Sequence, residues 1–167
     1  ELEGKVVMGN TFDYVFLHGK GIQLTGKHSF ISCSESAFLN QKHDFGNFKM
    51  LDVIYGVQKN FNSMTANIIN NFCHEGGRVF VSGANLYKNG LQCPALKATL
   101  YSTVNSKSVN QVSGSGLNFG IYRELNDQSY AVPQPEAINP TGGAFAMLAY
   151  SNGLPAAVAY DGSDYKA

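Results

Sequence analysis

The segment from residue 50 to residue 83 decides the fold, and it reads MLDVIYGVQKNFNSMTANIINNFCHEGGRVFVSG. The apolar run at 50–55 ends at a glycine and predicts a buried strand. Between residues 62 and 75 the apolar side chains recur with the 3.6-residue period of an amphipathic helix. A second apolar run, 78–81, follows at once. The segment therefore predicts a strand, a helix and a strand.

Local signals bound the predicted helix. Asn62 or Ser63 can accept a hydrogen bond from an N–H group of the first turn, and Gly76-Gly77 can supply a left-handed residue after the last turn. Because a helical crossover joins parallel strands, the segment favours a parallel sheet with helices on its faces.

The N-terminal residues extend this pattern. Short apolar runs at 5–9 and 29–33 predict two more strands, and 11–24 predicts a helix between them. We therefore expect an α/β fold with a mainly parallel sheet flanked by helices, of the flavodoxin-like or class I glutamine amidotransferase-like kind. With 167 residues, the chain has the length of one domain, so we expect residues 1–167 to form a single α/β domain, a fragment of a larger multidomain protein.

The C-terminal half carries turn signals instead of helix signals. Ser151-Asn152-Gly153 separates two apolar runs, 142–150 and 154–160, and an Asn-Gly pair in that position predicts a β-hairpin. Residues 98–104 fit either a strand or the end of a helix. We expect a C-terminal β-hairpin extension of the sheet.

Composition excludes several classes of function. Charged residues make up 14% of the chain, against about 25% in typical proteins, and the formal net charge is zero. A nucleic-acid-binding protein normally carries a basic excess, and a membrane-inserted one a long apolar run, and the sequence has neither. A neutral polar surface suits uncharged partners such as glycans, or other domains of the same parent chain.

The sequence indicates no metal and no cofactor. Its three cysteines, Cys33, Cys73 and Cys93, have neither the spacing of a disulfide framework nor that of a zinc site, although one pair could form a disulfide. No glycine-rich dinucleotide or phosphate motif is present.

The carboxyl ends of the predicted strands are where a site is expected, because ligands of open α/β sheets bind there. Asn10, Thr11, Ser34 and Asn85 follow such ends and are candidate ligand-binding residues.

Three residues at the same ends are candidate catalytic residues: Cys33, Glu35 and Ser82. Cys33 is either a nucleophile or a cysteine packed at the end of a core strand, and it lacks the flanking glycines of a nucleophile turn. Glu35 could serve as an acid or base or be a solvated carboxylate. Ser82 needs a histidine beside it, and otherwise only turns the chain out of the sheet.

Three stretches, 4–14, 74–84 and 154–165, resemble the amidotransferase-like α/β domain of large secreted Bacteroidetes proteins commonly labelled "xanthan lyase". The resemblance implies an extracytoplasmic location, periplasmic or on the cell surface. The matching motifs are structural, so no catalytic residue is carried over from them.

Three functions remain open. The first is a non-catalytic or degenerate α/β module of a secreted or cell-surface protein, associated with glycans. The second is a hydrolase or amidase acting on cell-wall or polysaccharide material. The third is a polysaccharide lyase of the xanthan type, as the family label suggests.

Overall fold

The structure is a computed structural model that describes residues 5–7, 10–12, 14–40, 45–56, 61–105, 108–112, 122–124 and 135–167. Its helices are α1 (Tyr14–Leu24), α2 (Glu35–Leu39) and α3 (Ser63–His74). Its strands are β1 (Lys5–Val7), β2 (Asn10–Phe12), β3 (Met50–Gly56), β4 (Arg78–Gly83), β5 (Ala98–Thr103), β6 (Ser108–Gln111), β7 (Tyr122–Glu124), β8 (Glu136–Pro140), β9 (Phe145–Tyr150) and β10 (Pro155–Ala159). No helix within these ranges is long and apolar enough to cross a membrane.

The predicted strand–helix–strand segment is confirmed. β3 and β4 pair in parallel, with Leu51 opposite Val79, and α3 connects them. Alternate side chains of the two strands point to opposite faces. The face toward α3 forms the first hydrophobic core, in which Ile69 and Cys73 of α3 are fully buried. Burying a side chain the size of isoleucine stabilises the fold by about 1.5–3 kcal/mol.

Both ends of α3 form as the sequence predicts. The Asn62 side-chain oxygen accepts a hydrogen bond from the Met64 N–H at 2.9 Å. At the other end Gly76 has a φ of +86°, a backbone conformation that side chains disfavour. The Gly77 N–H donates to the Phe72 carbonyl at 2.9 Å. This pattern is a Schellman motif, which satisfies carbonyl groups that the end of the helix leaves free.

The expected flavodoxin-like or amidotransferase-like sheet is wrong. Among the described strands only β3 and β4 form a parallel pair, to which the Arg78–Lys166 contact adds a single parallel bridge. β1 turns back on β2 as an antiparallel pair instead of entering a central sheet. The other described strands all pair antiparallel.

One local prediction in the N-terminal half also fails. Residues 29–33, expected to be a strand, have no regular secondary structure, and Ile31 is 64% exposed. An apolar run becomes a buried strand only where a neighbour covers it. The helix predicted over 11–24 forms as α1 but begins at Tyr14, because Thr11 lies in β2.

The predicted C-terminal hairpin is confirmed. β9 and β10 pair antiparallel across the turn at 151–153, and they continue a four-stranded sheet in the order β10-β9-β6-β7. β5 pairs antiparallel with β8, so the 98–104 segment is a strand rather than the end of a helix. Val104, Val109, Ala137 and Tyr150 form a second, smaller core in this half.

Glu136 connects the two halves. Its carboxylate oxygens accept hydrogen bonds from the N–H groups of Tyr87 and Lys88, at 3.2 and 2.6 Å, in the segment after β4. Its own carbonyl accepts the Tyr150 hydroxyl at 2.8 Å, inside the second core. One residue is thus bonded to both parts of the fold.

Candidate functional site

Glu35 lies at the carboxyl end of β3, where the sequence predicts a site. Its Oε1 accepts one hydrogen bond from the Tyr55 hydroxyl at 2.7 Å and another from the Thr65 hydroxyl at 3.0 Å. Tyr55 belongs to β3 and Thr65 to the first turn of α3. The carboxylate therefore fastens α2 to both elements. No described residue donates to its Oε2.

The short helix α2 places Glu35 in this position. Ser34 has the extended backbone of an N-terminal cap, and its hydroxyl oxygen accepts the Ala37 N–H at 3.3 Å. Ser34, a candidate ligand-binding residue, thus uses its side chain to begin the helix.

The hydroxyl group of Tyr55 remains protonated and therefore remains a hydrogen-bond donor. Burial raises the pKa of Tyr55 to about 12, and the hydrogen bond to the Glu35 carboxylate adds to the rise. Phe61 stacks on the ring, with 4.4 Å between the ring centroids. The tyrosine therefore keeps its proton at neutral pH and holds the carboxylate in place.

The candidates after β4 lie at the same edge of the strand pair. The Ala84 N–H donates to the Gly56 carbonyl at 2.6 Å and joins the two strand ends. Gly83 is required here, because a Cβ atom would stand 2.9 Å from the Cβ of Tyr55. Asn85 has a left-handed φ of +58°, and its buried Oδ1 accepts no hydrogen bond from any described residue. Asn85 thus shapes the turn.

Cys33 is not packed in the core. Its side chain is exposed, in the irregular segment before α2. Of the two hypotheses for Cys33, a cysteine packed at the end of a core strand is therefore wrong, because the strand itself does not form. The buried cysteines are Cys73 and Cys93, and burial raises the pKa of each thiol to about 11.

A pair that the sequence did not predict joins α1 to β3. His18 Nδ1 and Asp52 Oδ2 are 2.7 Å apart, and Phe80 of β4 lies beside the imidazole, 6.0 Å between ring centroids. With the proton on Nδ1, Nε2 is left as an acceptor, the arrangement of a general base and its orienting carboxylate. The residues are 34 positions apart, so only the alternation of β3 could have suggested which face Asp52 takes.

The nucleophile that would complete such a pair is not bonded to it. Ser82 lies opposite Ile54, on the same face as Asp52. Within the described ranges, neither Ser82 nor Cys33 forms a hydrogen bond to a histidine. The structure thus brings a histidine to the face of Ser82 without joining the two.

The remaining candidates are Asn10 and Thr11. They lie in β2 opposite Val7 and Val6, and their side chains fall outside the described part of the structure. The part of the chain that the structure describes contains no group of three or more histidine, cysteine or acidic residues able to hold a metal ion.

Comparison of the chain with protein-family models, with curated proteins and with solved structures gave no match. Its function is therefore inferred from the geometry of the described residues together with the sequence resemblance.

Proposed function

We propose that this chain is a non-catalytic module of an extracytoplasmic protein and that it associates with glycans. The observation that carries the proposal is the use of Glu35, whose carboxylate fastens three elements through Tyr55 and Thr65. Both described hydrogen bonds to this carboxylate come from neighbouring elements of the fold and reach Oε1, which is the pattern of a structural tie. Ser34 is likewise engaged, as a helix cap.

The charge of the chain supports a neutral glycan as the partner. The formal net charge is zero, and acidic and basic residues are equal at 12 each. A protein that holds a polyanion normally concentrates lysine and arginine where the charges bind. Asparagine, serine and glycine instead supply much of the polar surface, and their amide and hydroxyl groups match sugar hydroxyls. The resemblance to secreted proteins supports the location outside the cytoplasm.

A turnover assay tests the non-catalytic part of the proposal. The 167-residue chain would be incubated with chromogenic esters, chromogenic amides and soluble polysaccharides, and the products would be separated by mass. We expect no product above the level of the heat-treated protein. Turnover of any of these substrates would refute the proposal. Unsaturated uronate products from an acidic polysaccharide would point to the lyase alternative.

The hydrolase alternative is favoured by one observation, the His18–Asp52 pair on the face that Ser82 shares. Were it correct, Ser82→Ala and His18→Ala would each abolish hydrolysis. Ser36→Ala would serve as the matched control, since Ser36 is an exposed serine of α2 that is not a candidate catalytic residue. Equal rates in all variants would trace any activity to a contaminant.

A further inference from the structure

We infer that the outer face of α3 is the glycan-binding site, and that its ligand is an uncharged polysaccharide lying along the helix. This inference rests on the proposed function and deepens it. The face carries two adjoining solvent-open grooves of about 150 and 160 Å³, which share Ile68 and Asn71. Typical pockets for small molecules hold about 300–1,000 Å³. Shallow grooves in a row suit an extended chain better than an enclosed ligand.

The lining of the grooves matches the two sides of a sugar ring. Ile68 forms the apolar floor, and Met64, 57% exposed, stands at one end. Asn67 and Asn71 are exposed along the rim. Apolar side chains can cover the C–H face of a sugar, and each amide offers both donors and an acceptor to its hydroxyls.

The asparagines of α3 divide into two kinds. Asn70 faces inward, where its Oδ1 accepts the Ala95 N–H at 2.9 Å, so it serves the fold. The side chains of Asn67 and Asn71 form no hydrogen bond to any described residue. Asparagine is a poor helix former, and stronger formers would stabilise an exposed helix face. Asn67 and Asn71 therefore lower the stability of the helix, and no hydrogen bond to the described fold compensates for that loss. Such a pattern is expected of residues that bind a ligand.

The charge of the groove lining indicates whether the ligand is neutral or charged. Of the described residues that line the two grooves, Glu75 alone carries a charge. Among them is no lysine or arginine to pair with a uronate or sulfate, and Glu75 would repel either. The grooves thus favour a neutral glycan.

The test is calorimetric titration of the full chain with a soluble β-glucan, an α-glucan and a galactomannan, and with polygalacturonate as the charged comparison. The variant is Asn67→Ala combined with Asn71→Ala, and Asn139→Ala, exposed on β8, is the control. We expect a neutral glycan to bind, and the double variant to bind it about tenfold or more weakly, from the loss of two or more hydrogen bonds. The control should bind like the unmodified chain.

Folding cannot explain that result, because alanine is the better helix former and the double variant should melt at the same temperature or higher. Unchanged binding by the double variant would overturn the groove and leave the proposed function standing. Binding of polygalacturonate alone would overturn the neutral ligand. No binding to any of the four would refute both the groove and the glycan association.

Discussion

Replacing Tyr55 with phenylalanine removes one hydroxyl and keeps a ring that is 6% exposed. That hydroxyl donates at 2.7 Å to the Glu35 carboxylate. A hydrogen bond to a charged group contributes about 1.5–3 kcal/mol. Because Glu35 keeps the Thr65 hydroxyl, we expect the free energy of unfolding to fall by the lower part of that range, about 1.5–2 kcal/mol. At about 2–4 °C per kcal/mol, Tm should fall by roughly 3–8 °C.

Urea denaturation measures this change in the free energy of unfolding as a shift of the transition midpoint, provided that the slope of the free energy against urea concentration is unchanged. Tyr101→Phe is the matched control, because Tyr101 is 57% exposed, and it should change stability by less than about 0.5 kcal/mol. A double-mutant cycle with Glu35→Ala isolates the pair, with an expected coupling of about 1 kcal/mol or more. If Tyr55→Phe and the control behave alike, Glu35 does not fasten β3, and the structural role on which the proposed function depends is lost.

Further predictions follow from burial and backbone conformation. Burial raises the pKa of Cys73 and Cys93 to about 11 from 9.0, and that of Tyr55 to about 12 from 10.0, so the native state holds these protons longer than the unfolded state. The contribution of these three groups to the free energy of unfolding is complete below pH 9 and is lost as the pH rises toward 12. Urea midpoints measured across that pH range would detect the loss, and a midpoint that does not change with pH would contradict it. Iodoacetamide should label Cys33 in the native protein but Cys73 and Cys93 only after denaturation, and mass spectrometry of the peptides would expose the reverse order. Gly76→Ala should lower the free energy of unfolding by about 1 kcal/mol or more because of the positive φ, and an unchanged urea midpoint would argue against the Schellman motif.

Short-range signals in the sequence were reliable guides to structure. Asn62, Gly76 and the helix between them formed as predicted, because a cap and a period involve residues only a few positions apart. The Asn152-Gly153 turn fixed its hairpin for the same reason. Strand pairing did not follow, because a strand can pair with a distant segment that no local pattern specifies, as when Ala98 of β5 lies opposite Pro140 of β8.

The candidate site shows the same limit. Glu35 was named from its place after the predicted strand 29–33, which does not form, and its partners Tyr55 and Thr65 lie 20 and 30 positions away. Only tertiary packing brings them together. The sequence left open whether Cys33 is exposed, because that depends on whether residues 29–33 form a strand, and in the structure they do not.

The hydrogen bonds of Glu136 have a consequence for how the protein unfolds. Its carboxylate caps backbone N–H groups beside the first core, while its carbonyl holds Tyr150 in the second. If either half unfolds, the other half loses its hydrogen bonds to Glu136, and partly buried polar groups are left without a partner. We therefore expect the two cores to unfold as one cooperative unit, in a single thermal transition rather than one after the other.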